Sequence, residues 1–207
     1  MQIIKQQNID LGSIVDELKN GKVIVYPTET CYGLGCDATN PEAVAKVFQI
    51  KKRQHDKPVL VLVPTMSMML YFVNWSPILA KIADFYWPGP LTAVVPLRPE
   101  VTLPSGVVGA DKTIAFRVTD HFLASSLSDQ LGVPLVSTSA NIASYDSPYE
   151  IDRVFAMFER QEFRPDIIID AGSLPHHSPS TVVRVGDNRV DVLRQGEIKV
   201  DVERFCK

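Results

Sequence analysis

The 207 residues carry 45% apolar and 22% charged side chains and a formal net charge of −3, the balance of an ordinary folded domain. That charge excludes a bulk polycation that coats nucleic acid, so a nucleotide or nucleic-acid site has to be a local patch. No apolar run reaches the roughly eighteen residues of a membrane-spanning helix. The three cysteines, Cys31, Cys36 and Cys206, form neither a disulfide framework nor a CxxC pair, which fits a reducing, cytoplasmic setting.

In chain order, residues 11–19 predict a short amphipathic helix with Leu11, Ile14, Val15 and Leu18 on one face. Asn20-Gly21 stops it. Residues 22–26 predict a strand that Pro27 ends. The next run, Pro27-Thr28-Glu29-Thr30-Cys31-Tyr32-Gly33-Leu34-Gly35-Cys36-Asp37, reads as a polar loop after the carboxyl end of a strand, where open α/β sheets place ligands. Its hydroxyls are neutral donors and its glycines allow close backbone approach. It matches neither GxGxxG nor a Walker A loop. Asn40-Pro41 caps a predicted helix over residues 42–48.

Lys51-Lys52-Arg53-Gln54-His55-Asp56-Lys57-Pro58 comes next, ahead of the apolar run 59–63. A dense cationic turn at the entrance to a core strand can hold a polyanion such as the phosphates of a nucleotide. It can equally be a solvated basic loop. Ser76-Pro77 repeats the cap-plus-proline signal before a helix over residues 78–86. Trp87-Pro88-Gly89-Pro90 breaks that helix, with Trp87 as a core anchor, and residues 91–97 resume as a strand. Residues 113–118 alternate as a strand that puts Thr113, Ala115 and Arg117 on one face. Asp120 is expected to cap a helix over residues 121–131. The short run Leu135-Val136 opens onto Ser137-Thr138-Ser139-Ala140-Asn141, a second polar cluster suited to phosphate, ribose or carboxylate oxygens. Residues 165–170 predict a strand, and residues 180–185 and 189–193 a hairpin around Gly186-Asp187-Asn188. Helices alternating with core strands before a hairpin-like tail argue for an α/β domain with a mixed sheet.

A nucleophilic Cys31 would need a histidine base, and His55, His121, His176 and His177 carry no signature for one. Cys31, Cys36 and His176-His177 also lack zinc-ligand spacing. His176-His177 reads as an exposed loop.

Taken together, the clusters resemble the YrdC-like family of threonylcarbamoyl-AMP synthases over residues 11–196. The carriers are Tyr26-Pro-Thr-Glu-Thr-Cys-Tyr-Gly-Leu-Gly35, Lys51-x-Arg53, Trp87-Pro-Gly-Pro-Leu-Thr92, Ala115-Phe-Arg117, Ser137-Thr-Ser-Ala-Asn141, Ser180-Thr-Val-Val183 and Leu193-Arg194-x-Gly196. The family's paired signature, Lys-x-Arg followed by Ser-x-Asn, is met by Lys51, Arg53, Ser139 and Asn141. The resemblance implies one YrdC-like domain over residues 1–207, a twisted mixed sheet flanked by helices with a large, concave, positively charged cavity.

It also implies a nucleotidyltransferase. Threonine and bicarbonate give a carbamate, which attacks the α-phosphate of ATP, releasing pyrophosphate and threonylcarbamoyl-AMP. Partner proteins then modify tRNA. On this analogy Lys51 and Arg53 are catalytic. Arg53, Lys57, Thr113, Ser139, Asn141, Ser147 and Arg194 bind ATP, while Thr30, Arg117, Ser137 and Ser180 hold threonine and its carbamate. Mg2+ accompanies the phosphates with no protein cage for it. Leu62 stands where some members have histidine, and Ala143-Ser144 replaces a common Ser-Gly pair. Two other readings are a double-stranded RNA or tRNA module using the same cleft, and a paralogue with another acceptor.

Overall fold

The computed structural model describes residues 1–54, 57–186 and 189–205. His55 and Asp56 of the basic stretch, the Asp187-Asn188 turn and Cys206 lie outside the described residues. Ten strands form one mixed sheet in the order β1-β8-β2-β3-β7-β4-β6-β5-β9-β10. They are β1 (Gln2–Lys5), β2 (Ile24–Pro27), β3 (Tyr32–Gly35), β4 (Leu60–Val63), β5 (Leu91–Pro96), β6 (Thr113–Val118), β7 (Leu135–Ser139), β8 (Ile167–Asp170), β9 (Thr181–Val185) and β10 (Val190–Arg194). The helices are α1 (Leu11–Lys19), α2 (Pro41–Lys51), α3 (Met66–Leu70), α4 (Pro77–Tyr86), α5 (Phe122–Leu131) and α6 (Ile151–Phe158). Among the described residues no helix is long and apolar enough to cross a membrane.

Strand periodicity decides where the cavity falls. Val61 and Val63 of β4, with Ile114, Phe116 and Val118 of β6, point to a core shared with Val44, Val47 and Phe48 of α2, Leu79 and Ile82 of α4, and Val154 and Phe158 of α6. Residues of opposite phase, Ile24, Tyr26, Leu62 and Leu135, meet Ile14, Val15 and Leu18 of α1 and Leu123 and Leu127 of α5. Those two helices cover this second face on the β8-β2-β4 side only. On β6, β5 and β9 the same face stays open, and β6 presents Thr113, Ala115 and Arg117 to a cavity. Leu62 of β4 pairs in register with Arg117 of β6, so the covered half ends and the open half begins between neighbouring strands.

Most expected elements are present, with α1 and β6 at the expected bounds. The Thr28–Asp37 stretch is not simply a loop. Residues 32–35 form β3, antiparallel to both β2 and β7, and only residues 28–31 turn. Gly35 is required there. A Cβ on it would run into the Val136 carbonyl oxygen and lie 2.8 Å from a Tyr26 ring carbon. Gly35→Ala is expected to destabilise the fold by about 3 kcal/mol in urea unfolding; a change below about 1 kcal/mol would mean the hairpin yields. A second correction concerns α5, whose cap is His121, not Asp120: the His121 Nδ1 accepts from Ala124 N at 3.4 Å, while Asp120 is exposed. The β9–β10 hairpin is antiparallel as expected.

Candidate active site

The cavity has a volume of about 580 Å³, within the range of small-molecule sites. Its floor is the open half of the sheet, continued by Gly33 of β3, Leu60 of β4 and Ser137 and Ser139 of β7. Its rims are the turn over residues 28–31, the basic turn with Pro58, the segment 109–111, and the residues around Ser147, Ser180 and Arg194. Nine of the residues expected from the sequence line it: Thr30, Arg53, Thr113, Arg117, Ser137, Ser139, Ser147, Ser180 and Arg194.

Thr28 builds the first rim. Its hydroxyl accepts from Thr30 N at 3.2 Å and donates to Cys31 O at 2.7 Å, an ST-type turn that sets Thr30 against the cavity. Arg53 is held in the basic turn by donating to Lys57 O at 3.0 Å and Pro58 O at 3.1 Å. Across the cavity, Arg194 donates to Ser180 O at 2.8 Å, and the Ser180 hydroxyl lies 2.9 Å from that of Thr92. Burial, and then the charge of Arg117, lower the Arg194 guanidinium from its ordinary value. Two arginines thus press like charge on one cavity, which an anion between them would relieve.

Three expected residues, Lys51, Lys57 and Asn141, are not among those lining the cavity. Lys57 is exposed on the basic turn. Lys51 ends α2 with 3% exposure, and its Nζ donates to Ser139 O at 2.5 Å, Asn141 O at 2.8 Å and Asn141 Oδ1 at 3.0 Å. The same Asn141 Oδ1 accepts from the Ser139 hydroxyl at 2.5 Å, and the Asn141 amide donates to Tyr145 O. Lys51 and Asn141 therefore clamp the loop that presents Ser139. Burial, and secondarily Arg53, lower the Lys51 ammonium to about 7.

Three charged residues near the cavity were not selected from the sequence. Arg184 and Asp111 line it and pair at 2.8 Å, while Asp111 also accepts from the Thr113 hydroxyl at 2.7 Å. Arg184 was accessible to the alternation that exposed Arg117, since it shares a strand face with the lining residue Val182. Glu29 sits against Arg117; no spacing announces a partner 88 positions away. Cys31 lines the cavity, but burial pushes its thiol up, so the thiolate a nucleophile needs is disfavoured. Cys36 is buried in the core, and among the described residues no three His, Cys, Asp or Glu side chains gather as a metal site. Trp87 packs against the core and donates Nε1–H to Leu91 O at 2.7 Å, as an anchor would.

The cavity lies on the bare half of an α/β sheet and gathers Arg53, Arg117, Arg184 and Arg194 among hydroxyls, with Asp111 as its one lining carboxylate among the described residues; guanidinium and hydroxyl groups are the donor types that suit an anionic ligand. The Sua5/YciO/YrdC family model, described as "Telomere recombination", matches residues 16–196, and the chain belongs to that family. It is 38% identical to the threonylcarbamoyl-AMP synthase of Pseudoalteromonas atlantica, over 78% of this chain and 85% of the relative. It is 31% identical to the synthase of Aliivibrio fischeri, over 90% of this chain and 99% of the relative. Among solved structures, P. abyssi Sua5 complexed with L-threonine superposes with a TM-score of 0.83 and 30% identity, over 95% of this chain and 58% of that one. E. coli YciO superposes with a TM-score of 0.82 and 25% identity, over 97% of each chain. This chain therefore spans little more than half of the P. abyssi protein.

Proposed function

We propose that this protein condenses L-threonine, bicarbonate and ATP into threonylcarbamoyl-AMP and pyrophosphate. The observation that carries this reading is the single cavity joining Arg53, Ser139 and Arg194 to Thr30, Arg117, Ser137 and Ser180. The Pseudoalteromonas and Aliivibrio relatives are named as synthases of that product, and the P. abyssi relative is complexed with L-threonine.

The threonine amine adds to bicarbonate with loss of water, giving a carbamate. A carbamate oxygen then attacks the α-phosphorus in line, the bond to the bridging oxygen breaks, and pyrophosphate leaves. In-line displacement at phosphorus needs positioning and charge stabilisation more than a protein nucleophile. Arg117 takes the threonine carboxylate, with Thr30, Ser137 and Ser180 on the carbamate. Arg53 and Arg194 face the phosphates, assisted by Thr113, Ser139 and Ser147, with Lys57 reaching in from the exposed turn. Lys51 and Asn141 act one step back, holding Ser139. Magnesium belongs with the ATP phosphates; the described residues offer no carboxylate cage, and what the protein itself supplies is cationic. The product serves tRNA threonylcarbamoyladenosine formation through partner proteins, in a cytoplasmic setting.

A second reading is a carbamoyl-adenylate synthase with another acceptor, since the guanidinium of Arg117 and the hydroxyls beside it in the cavity would suit the carboxylate of other amino acids too. Incubation with ATP, magnesium and bicarbonate, with L-threonine, serine, alanine or no amino acid, separates the two. Threonine-dependent pyrophosphate release is expected. ATP binding without release under any of these amino acids would move the assignment to the second reading. Neither binding nor release, with salt-sensitive RNA binding instead, would favour an RNA module, which the net charge of −3 argues against.

A further inference from the structure

Arg117 is the most deeply buried charge in the cavity wall, its side chain 4% exposed, and it has a partner that takes no part in the chemistry above. Glu29, 13% exposed, puts Oε1 at 3.1 Å from Arg117 Nε. Both atoms are shut off from solvent, and the pair is misaligned for a hydrogen bond. The other carboxylate oxygen, Oε2, accepts from the Thr119 hydroxyl at 2.9 Å, and that hydroxyl also accepts from His121 N at 3.2 Å. Glu29 is therefore fixed from behind by the N-terminus of α5. Since Arg117 lines the cavity while its Nε is hidden, the outer edge of the guanidinium is what a ligand meets.

Two consequences follow from elementary electrostatics. The carboxylate behind Nε orients the fork, leaving its outer edge for bidentate contact with a planar carboxylate. It also offsets part of the charge of Arg117, so this part of the wall is less cationic than the side that carries Arg194. A singly charged carboxylate still gains two directed hydrogen bonds there, whereas a phosphate, which depends more on net charge, loses part of the Coulomb attraction that draws it elsewhere in the cavity. Arg194, in contrast, donates to neutral oxygens of Ser180.

We infer that Glu29 is the specificity-determining residue that reserves Arg117 for a carboxylate and keeps phosphate groups out of the amino-acid end of the cavity. This rests on the proposed synthase reading. Glu29 touches no substrate and acts as a positioning residue through Arg117.

The test is steady-state formation of the adenylate by the full chain, followed chromatographically, with L-threonine varied at several concentrations of inorganic phosphate. In wild type, phosphate should not compete with threonine. In Glu29→Gln the KM for threonine should rise on the order of tenfold with kcat kept within a few-fold, and phosphate should become a competitive inhibitor against threonine. Glu29→Asp, which retains the charge, should restore the exclusion of phosphate. A KM that rises without phosphate competition, or does not rise at all, would overturn the inference. Should Glu29→Gln not fold, Thr119→Val carries the test: freeing Oε2 should raise the threonine KM and admit phosphate in part, and wild-type behaviour would overturn it. A wild type that makes no adenylate with threonine would sink the functional reading alone. The inference is then read by calorimetry, as one added phosphate site in Glu29→Gln relative to wild type, and its absence would overturn the inference.

Discussion

Lys51→Met is expected to lower threonine-dependent pyrophosphate release by roughly a hundredfold and to destabilise the fold by about 3 kcal/mol. Both effects have one origin. The Lys51 ammonium fills three acceptors, Ser139 O, Asn141 O and Asn141 Oδ1, and methionine fills the volume while leaving all three without that donor. An unmet buried acceptor costs about 1–3 kcal/mol, and the loop can recover part of this only by moving Ser139. Displacing a phosphate-facing hydroxyl then removes a positioned donor from the transition state. Urea unfolding and initial rates measure the two parts separately. A stable variant with full activity would show that the loop holds its shape unaided.

The pH dependence of that stability difference has a definite sign. Burial, then Arg53, lower Lys51 from 10.5 to about 7, below its value in the unfolded chain. Between these limits the unfolded chain binds more protons than the folded one, so stability rises with pH. Relative to Lys51→Met, wild type should gain up to about 1.4 kcal/mol per pH unit between pH 7 and 10. The burial penalty is present in full below pH 7. A flat difference across this window would mean that the three oxygens keep the proton on the amine.

Lys51 also shows what the sequence made legible. Within a run of cations it reads as part of a solvated turn or a polyanion site, and the resemblance to the family gave it the same role as Arg53. Helical spacing says otherwise: Val44, Val47, Phe48 and Lys51 follow the 3.6-residue period, and the first three are buried core residues of α2. The lysine continues the buried face by one more turn. Arg117 was legible for the corresponding reason, since period-2 alternation set it beside Thr113 and Ala115, which share its cavity.

Other features gave weaker local signals. β3 carries Gly33 and Gly35, which strand propensity disfavours, because Tyr26 and the backbone of Val136 occupy the space where side chains would stand. β1 is an edge strand with no buried residue, so hydrophobic patterning has nothing to read. α6 begins without a side-chain cap, and only Val154 and Phe158 are fully buried, with Ile151 and Met157 partly buried against the core. The Glu29–Arg117 and Asp111–Arg184 pairs join residues far apart in sequence; such contacts are products of the sheet order. The cavity itself depends on α1 and α5 covering one half of a face and not the other, which follows from how far the sheet extends past them.

Arg53→Ala is expected to reduce pyrophosphate release by a hundredfold or more while leaving the fold intact. Arg53 lines the cavity from the basic turn, and a guanidinium placed at a phosphate supplies charge-assisted hydrogen bonds that strengthen as the leaving group gains charge. The structural cost is small, because Arg53 is only half-buried and next to exposed Gln54 and Lys57. The carbonyls of Lys57 and Pro58 that accept from it can turn to water. The melting temperature should therefore stay within a few degrees of wild type. Arg53→Lys tests which property matters: it keeps the charge but loses the fork that bonds the turn and a phosphate together. An intermediate rate for Arg53→Lys, with the KM for ATP raised in both variants and the KM for threonine unchanged, would place Arg53 at the phosphates. A raised threonine KM with an unaltered ATP KM would instead move Arg53 to the amino-acid end and reverse the orientation of substrates in the cavity.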